Sequence, residues 1–438
     1  MLKKKVLMNS NNDTCKECGY NSLFCNVNHF KQNFRKWTSG NSNIDKLIQS
    51  TQLSAHYDVS IALEWIPYKK LNDIKYVSEG GFGKIYRAKW KDGNIQYWDS
   101  KNKNWERSGQ NMIVALKSLN NSKNATSEFV NEIILHHKFK KGNGFIIEFY
   151  GITQDPKTKD YMMVLEYAEY GSLRNFLDNS FKELSWENKI QYLCSTAFGL
   201  VSIHENDLIH RNLHSGNVLK NNVQTSITDV GLCKPADCVT LEKMSYGVLP
   251  YIAPEVLRGQ NYTKASDVYS FGMIMYEIIS GLPPYYDVSH NENLAIKICQ
   301  GLRPRFNIKV PSLIVDLIKK CLDANPLNRP TAFEVRKTIY PWWYNYEDQI
   351  ELRKQIKEAE EANKKITSTN IALSYKKHSE AIYTSRLFNF NYLPEPKNSD
   401  DYYEQNDNIT SIEYSGSFQI DISKLKISDK GQISESEG

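Results

Sequence analysis

The stretch Ser78-Glu79-Gly80-Gly81-Phe82-Gly83 sets three glycines within four positions, flanked by β-forming residues. Glycine lets a backbone approach a ligand closely, and free N–H groups in such a loop would hold phosphate oxygens. Further on, Val114-Ala115-Leu116-Lys117 ends an apolar strand in a lysine. A lysine inside a strand needs a partner. Glu132, in the amphipathic stretch 128–134, is the candidate. A second cluster has metal-ligand character: Cys15-x₂-Cys18, then Cys25 and His29, carry the residue types and partial spacing of a small Zn²⁺ site. Ser22 stands where a cysteine would complete a second Cys-x₂-Cys pair, so His29 would be the fourth ligand. Unliganded surface thiols are the alternative.

Three composition regimes position these residues. Residues 1–65 are Asn-rich and contain the cysteine cluster, residues 66–340 alternate apolar segments with turn signals, and the remainder is charged and then polar. In the middle regime, short alternating runs such as 111–117 and 161–167 read as strands. Longer helix-periodic stretches such as 264–280 and 311–322 follow. Strands before helices imply a small sheet-rich lobe and a larger helical one. Residues 90–111 read as an extended hairpin of the small lobe, its tryptophans paired across the strands. Residues 341–366 read as a charged helix, with Leu352, Ile356, Ala359, Asn363 and Ile366 at 4-3-4-3 spacing. Two heptads are too few for a coiled coil, so this helix is expected to pack on the large lobe. Residues 367–438 read as a disordered tail, in which Tyr392-Leu393-Pro394-Glu395-Pro396-Lys397 could be a short linear ligand.

The balance of 55 Lys+Arg against 50 Asp+Glu gives a net charge of +5, unlike a nucleic-acid polycation. No apolar run reaches the roughly 18 residues of a membrane span, and the N-terminus lacks a secretory apolar core. Eight cysteines in 438 residues do not make a disulfide framework. A reducing, intracellular and cytoplasmic setting is therefore expected. Nothing indicates an oligomeric state.

His210-Arg211-Asn212-Leu213-His214-Ser215-Gly216-Asn217 is followed by Thr228-Asp229-Val230-Gly231, Tyr251-Ile252-Ala253-Pro254-Glu255, Ser266-Asp267-Val268-Tyr269-Ser270-Phe271-Gly272 and Asn325-Pro326-Leu327-Asn328-Arg329-Pro330. With the glycine loop and Lys117, this order resembles the eukaryotic protein kinase domain over roughly residues 70 to 340, and most resembles its tyrosine-kinase-like group. The resemblance implies an α+β bilobal fold: a five-stranded antiparallel sheet plus one helix, then a mainly helical lobe, with ATP between them. It implies that Lys117, held by Glu132, contacts the α- and β-phosphates, and that Gly80, Gly81 and Gly83 cover them with Phe82 at the loop tip. Ser78 stands where a first loop glycine is usual. Ile85 and Ala115 would sandwich adenine, the backbone at Glu166 and Ala168 would bond its edge, and Leu165 would line the back. Asn217 and Asp229 would hold Mg²⁺. Glu255 and Arg329 would form a buried pair within the helical lobe.

The pattern breaks at Asn212, where the family has the aspartate that receives the substrate hydroxyl proton. An amide can accept that hydrogen bond but cannot take up the proton near pH 7. Losing a general base costs about 10²–10⁴-fold, which from a turnover of about 1–100 s⁻¹ leaves on the order of 10⁻⁴ to 1 s⁻¹. Val230 replaces the phenylalanine of the metal-binding triplet, His214 stands where a γ-phosphate-contacting lysine is usual, and Val248 replaces a threonine. Arg211 would pair with a phosphate added at Thr240, Ser245 or Tyr246. Two functions remain open. One is a protein kinase acting on serine or threonine of a protein substrate, slowed by Asn212. The other is a pseudokinase whose nucleotide-controlled closure regulates a protein partner. A third reading makes residues 1–65 a recruiter and the rest its scaffold.

Overall fold

The computed structural model describes residues 15, 25–80, 83–119, 122–124, 126–139, 144–235, 245–367 and 375–398. Its small lobe is built on strands β1 (Glu64–Trp65), β2 (Leu71–Gly80), β3 (Gly83–Trp90), β4 (Asn94–Asp99), β5 (Asn104–Ser108), β6 (Met112–Leu119), β7 (Phe149–Gln154) and β8 (Tyr161–Glu166). The main sheet runs β1-β7-β8-β6-β3-β2. Five of its strands are antiparallel neighbours, as expected. The sixth, β1, is an addition: it pairs parallel to β7, with Glu64 opposite Gly151 and Trp65 opposite Ile152. A bare edge on β7 would leave a row of backbone groups unpaired, and β1 covers it. Strands β4 and β5 form a separate hairpin in which Trp98 and Trp105 are register partners, their rings edge-on at 5.2 Å.

Helices α1 (Asn26–Lys31) and α2 (Ser42–Ser54) precede the sheet, and α3 (Ser127–Lys138) crosses it. Asn41 caps α2 by accepting from the backbone N–H groups of Asn43 and Ile44, and Thr126 caps α3 through Phe129 N–H. Residues 25–65 of the N-terminal segment pack on the small lobe. Ile44, Ile48 and Leu63 are fully buried in one cluster with Phe129 and Ile133 of α3 and Phe149 of the sheet. Three polar ties reinforce the packing: Tyr161 OH donates to Ser39 O at 2.9 Å, Gln52 donates to Leu63 O at 2.8 Å, and a ring nitrogen of His137 lies 2.7 Å from Ile61 O. Apolar residues at i and i+4 on α2 could only be buried against α3 once the chain had folded back over it.

The helical lobe contains α4 (Leu173–Ser180), α5 (Trp186–Glu205), α6 (Pro254–Leu257), α7 (Lys264–Ser280), α8 (Glu292–Cys299), α9 (Ser312–Cys321), α10 (Ala332–Tyr344) and α11 (Ile350–Thr367). Helix α7 is buried along most of its length, starts in a Thr263/Ser266 capping box and ends at Gly281, φ +75°. A side chain at Gly281 would stand 2.6 Å from the Phe181 ring. Glu255 and Arg329 make a bidentate buried pair at 2.7 and 2.8 Å. On α11, Leu352, Ile356 and Ala359 sink into the helical-lobe core. Asn363 exchanges both amide hydrogen bonds with the Lys309 backbone.

Residues 375–398, expected as part of a disordered tail, lie on the helical lobe instead. Phe388 and Leu393 join its core, and Glu395 pairs with Arg258. Among the described residues no helix is long and apolar enough to cross a membrane.

Ile48→Ala should destabilise the small lobe by about 2–5 kcal/mol, the cost of truncating a buried aliphatic residue. Urea denaturation checks this; a change below about 0.5 kcal/mol would show that α2 is not part of the lobe's core.

Candidate active site

Lys117 lies in β6 opposite Ile85 of β3 and Met163 of β8, in the middle of the sheet. Its ammonium donates to Glu132 Oε1 of α3 at 2.6 Å and to Asp229 Oδ1 at 2.7 Å. All three side chains are largely buried. Burial opposes charge on Lys117, but Asp229 and Glu132 outweigh it and hold the ammonium protonated beyond the ordinary lysine range. Burial likewise opposes the Asp229 carboxylate, but Lys117, with smaller help from His210 and His214, moves its pKa below the usual value. Gly231 makes room for this contact. A Cβ there would lie 2.8 Å from the Glu132 carboxylate.

Asn217 donates through its amide to Asn212 O at 2.9 Å and reaches Asp229 Oδ2 at 3.4 Å. Its Oδ1 is therefore left as an oxygen donor beside the Asp229 carboxylate. Arg211 and Asp229 both hold left-handed backbone, φ 69° and 62°. Such conformations persist in non-glycine residues only where surroundings enforce them. At Arg211, Asp267 supplies that force: its carboxylate accepts from His210 N–H at 2.7 Å and Arg211 N–H at 3.0 Å, with His204 at 3.0 Å. The His210 ring spans the loop, with Nδ1 accepting from Asn212 N–H and Nε2 facing Thr228 O. The Arg211 guanidinium lies over the Tyr262 ring at 5.0 Å.

Ala115 pairs with Leu165 and with Arg87, and Ile85 is half-buried beside them. Leu165 and Ala168 are buried, while the Glu166 carboxyl, raised by burial, accepts from Asn221. Ser78 is exposed and Gly80 pairs with Gly83 at the turn of β2 and β3; Gly81 and Phe82 lie outside the described residues. Leu219, two residues beyond Asn217, packs from the helical lobe onto the cluster that also receives Ala115. It was missed, although its spacing from Asn217 could have marked it. Glu277 was missed as well. It is fully buried and accepts from Arg174 at 2.5 Å, Ser215 at 3.0 Å and Tyr251 at 2.6 Å, fixing the loop from below. Nothing in the sequence pattern marked Ser385, whose hydroxyl donates to Asn212 Oδ1 at 3.0 Å. Of the candidate modified residues, Thr240 lies outside the described residues, and Ser245 is buried with its hydroxyl donated to Val256 O at 2.5 Å.

The expected Zn²⁺ ligands do not assemble as written. His29 stacks on Trp98 at 4.0 Å, and Cys18 lies outside the described residues. His56 takes the place of His29: its Nδ1 is 3.4 Å from Cys25 Sγ and 3.8 Å from Cys15 Sγ. Among the described residues three donors converge, where a structural zinc takes a tetrahedral set of four.

A two-lobed architecture with a lysine–glutamate–aspartate triad at the lobe junction defines a kinase-type fold. The chain belongs to the protein tyrosine and serine/threonine kinase family, whose model matches residues 71–339. It is 28% identical over 275 residues to a probable serine/threonine-protein kinase of Dictyostelium discoideum, covering 62% of this chain and 16% of that protein. It is 27% identical over 299 residues to stress-activated protein kinase alpha of the same organism, covering 64% and 43%. A tyrosine-protein kinase of Girardia tigrina is 28% identical over 332 residues, covering 72% and 62%. The chain thus spans less than two thirds of the length of each of these relatives.

His136, on α3, is buried with neither ring nitrogen hydrogen-bonded, and burial with the nearby Lys117 charge pulls its pKa down to about 3. Burial likewise lowers His214 to about 4. The unfolded chain binds these protons below about pH 6.5 and the folded chain does not, so stability falls as pH drops from about 6.5 towards 4. His136→Phe should flatten the slope by up to about 1.4 kcal/mol per pH unit, one proton's worth. Denaturation at pH 7, 6 and 5 measures it; an unchanged slope would contradict the neutral buried ring.

Proposed function

We propose that this chain is an ATP- and Mg²⁺-binding protein kinase domain of the tyrosine-kinase-like group, transferring phosphate slowly to serine or threonine of a protein. One observation carries the reading: Lys117 Nζ sits at 2.6 Å from Glu132 and 2.7 Å from Asp229, with Asn217 beside that aspartate. The donor set fits the cofactor. Asp229 is held ionised and Asn217 offers an amide oxygen, both hard ligands for a hard ion. Bound ATP·Mg²⁺ would supply the transferable phosphoryl group and neutralise charge developing on it. Lys117 would exchange its Asp229 contact for the α- and β-phosphates while Glu132 keeps it oriented. The turn from Gly80 to Gly83 would close over them. Ile85, Ala115, Leu165 and Leu219 would clasp the base, with the backbone at Glu166 and Ala168 along its edge. Asn212 would orient an acceptor hydroxyl through its Oδ1 without removing the proton, which must leave to solvent or phosphate oxygen.

A second reading, a pseudokinase that regulates a partner through nucleotide-controlled closure, is favoured by the Asn212 amide, which already holds Ser385 as a neutral acceptor. Nucleotide titration with and without Mg²⁺, followed by phosphate transfer beside an Asp229→Asn control, tests both. The kinase reading expects Mg²⁺-dependent binding, transfer above the control, and a gain of about 10²–10⁴-fold on Asn212→Asp. Binding with transfer at the control level in both the natural chain and Asn212→Asp would leave the pseudokinase reading; no nucleotide binding would end both.

A further inference from the structure

Residues 375–398 follow a groove across the mouth of the candidate site. Arg386–Phe388 form a strand antiparallel to Ser245–Gly247, with Ser245 opposite Phe388 and Gly247 opposite Arg386. This ladder sets Ser385 against the loop at Asn212. The Ser385 hydroxyl donates to Asn212 Oδ1 at 3.0 Å and lies 3.4 Å from His214 Nε2. His214 Nδ1 accepts from Gly216 N–H at 3.1 Å, so the neutral ring carries its proton on Nε2 and donates to the hydroxyl. The serine is therefore held from both sides by groups that cannot take its proton.

The flanking residues are read as closely as the hydroxyl. Two residues before it, Tyr383 donates to Pro284 O at 2.9 Å and sets its ring edge against His290 at 4.8 Å. One residue after it, Arg386 donates to His290 O at 2.5 Å. Leu387 points away, 60% exposed, and Phe388 is buried, 8% exposed. Main-chain pairing supplies sequence-independent affinity and alternate pockets supply selectivity, which is how an extended peptide is recognised on a strand edge.

We propose that this groove is the acceptor-peptide site, that the chain fills it with its own residues 383–388, and that it selects a peptide of the pattern Tyr-x-Ser-Arg-x-Phe with the serine in the acceptor position. The assignment of the acceptor position rests on the kinase reading above; the occupation of the groove does not. A protein substrate of this pattern competes with the chain's own segment, which has the advantage of being covalently attached. A segment tethered on a short linker acts as a ligand at millimolar effective concentration. The groove therefore admits an outside peptide only when residues 375–398 are displaced.

The test uses a fluorescent peptide of residues 380–395 and the full chain, natural or carrying Phe388→Asp with Leu393→Asp to release the segment. The released variant should bind the peptide at least tenfold more tightly than the natural chain. A peptide with the arginine and the first phenylalanine replaced by glutamate and aspartate should lose at least tenfold. In the natural chain, amide hydrogens at 386–388 should exchange at least a hundredfold more slowly than in an unfolded chain and accelerate with excess peptide. Equal peptide binding by the two chains, or no binding by a released variant that still melts cooperatively, overturns the proposal. If the variant does not fold, the natural chain decides: unprotected amides at 386–388, or protected amides that excess peptide leaves unchanged, also overturn it. Nucleotide binding is titrated in parallel. Its absence beside intact peptide binding removes the kinase reading and leaves the groove assignment standing.

Discussion

A single ammonium group holds together three elements of the fold, one of them distant in sequence from the other two. Lys117 comes from the centre of the sheet, Glu132 from α3 and Asp229 from the loop after Thr225–Ile227. Burying one cation with two anions leaves net negative charge in a poorly solvated place, which is tolerable only with close geometry. Several neighbours exist to provide that geometry. Gly231 removes the one Cβ that would push Glu132 away. The packing of Ile44 and Ile48 against Phe129 and Ile133 fixes where α3 can lie. The N-terminal region therefore acts on the site at one remove, by fixing the helix that carries Glu132.

The loop bearing Asn212 and Asn217 is positioned by a different device. Two buried carboxylates, Asp267 and Glu277, both on α7, accept hydrogen bonds from it or from its supports. Charge-assisted bonds of this kind are stronger than neutral ones, and their multiplicity sets direction as well as distance. Helix α7 is capped at both ends and buried along most of its length, so the loop inherits the position of a deeply buried element. That anchoring holds Arg211 in left-handed backbone.

Much of this was legible in the sequence, for a physical reason. Lys117 and Glu132 could be picked out because a lysine inside a strand needs a carboxylate partner, Asn217 and Asp229 through the resemblance to the kinase domain, and all four are brought together. The Glu255–Arg329 pair was legible only through the resemblance to the kinase domain, and the buried guanidinium does take that carboxylate. What stayed illegible was decided by tertiary packing. The two residues of β1 are too few for a strand pattern, and β1 exists because the edge of β7 was available. His56 is far from Cys25 in sequence, so spacing favoured the nearby His29, which the tryptophans of the hairpin claim instead. Residues 375–398 lie within a stretch read as polar tail, but they carry apolar side chains such as Phe388 and Leu393 that dock into the helical lobe beside a strand edge.

The amide at position 212 can be understood from the same charge balance. Glu132 and Asp229 against Lys117 already leave one uncompensated negative charge, and Asn217 bridges Asp229 to the Asn212 backbone. An aspartate at 212, a position only 4% exposed, would add a second such charge close by. Desolvating it without a cation is unfavourable, and among the described residues the polar hydrogen facing its side-chain oxygen is that of the Ser385 hydroxyl. An asparagine avoids that cost and still accepts from the serine. A neutral amide at 212 thus suits the segment-filled arrangement, in which its oxygen accepts from Ser385. In that arrangement the site holds two carboxylates against one ammonium, and the divalent cation proposed above would supply the positive charge they lack.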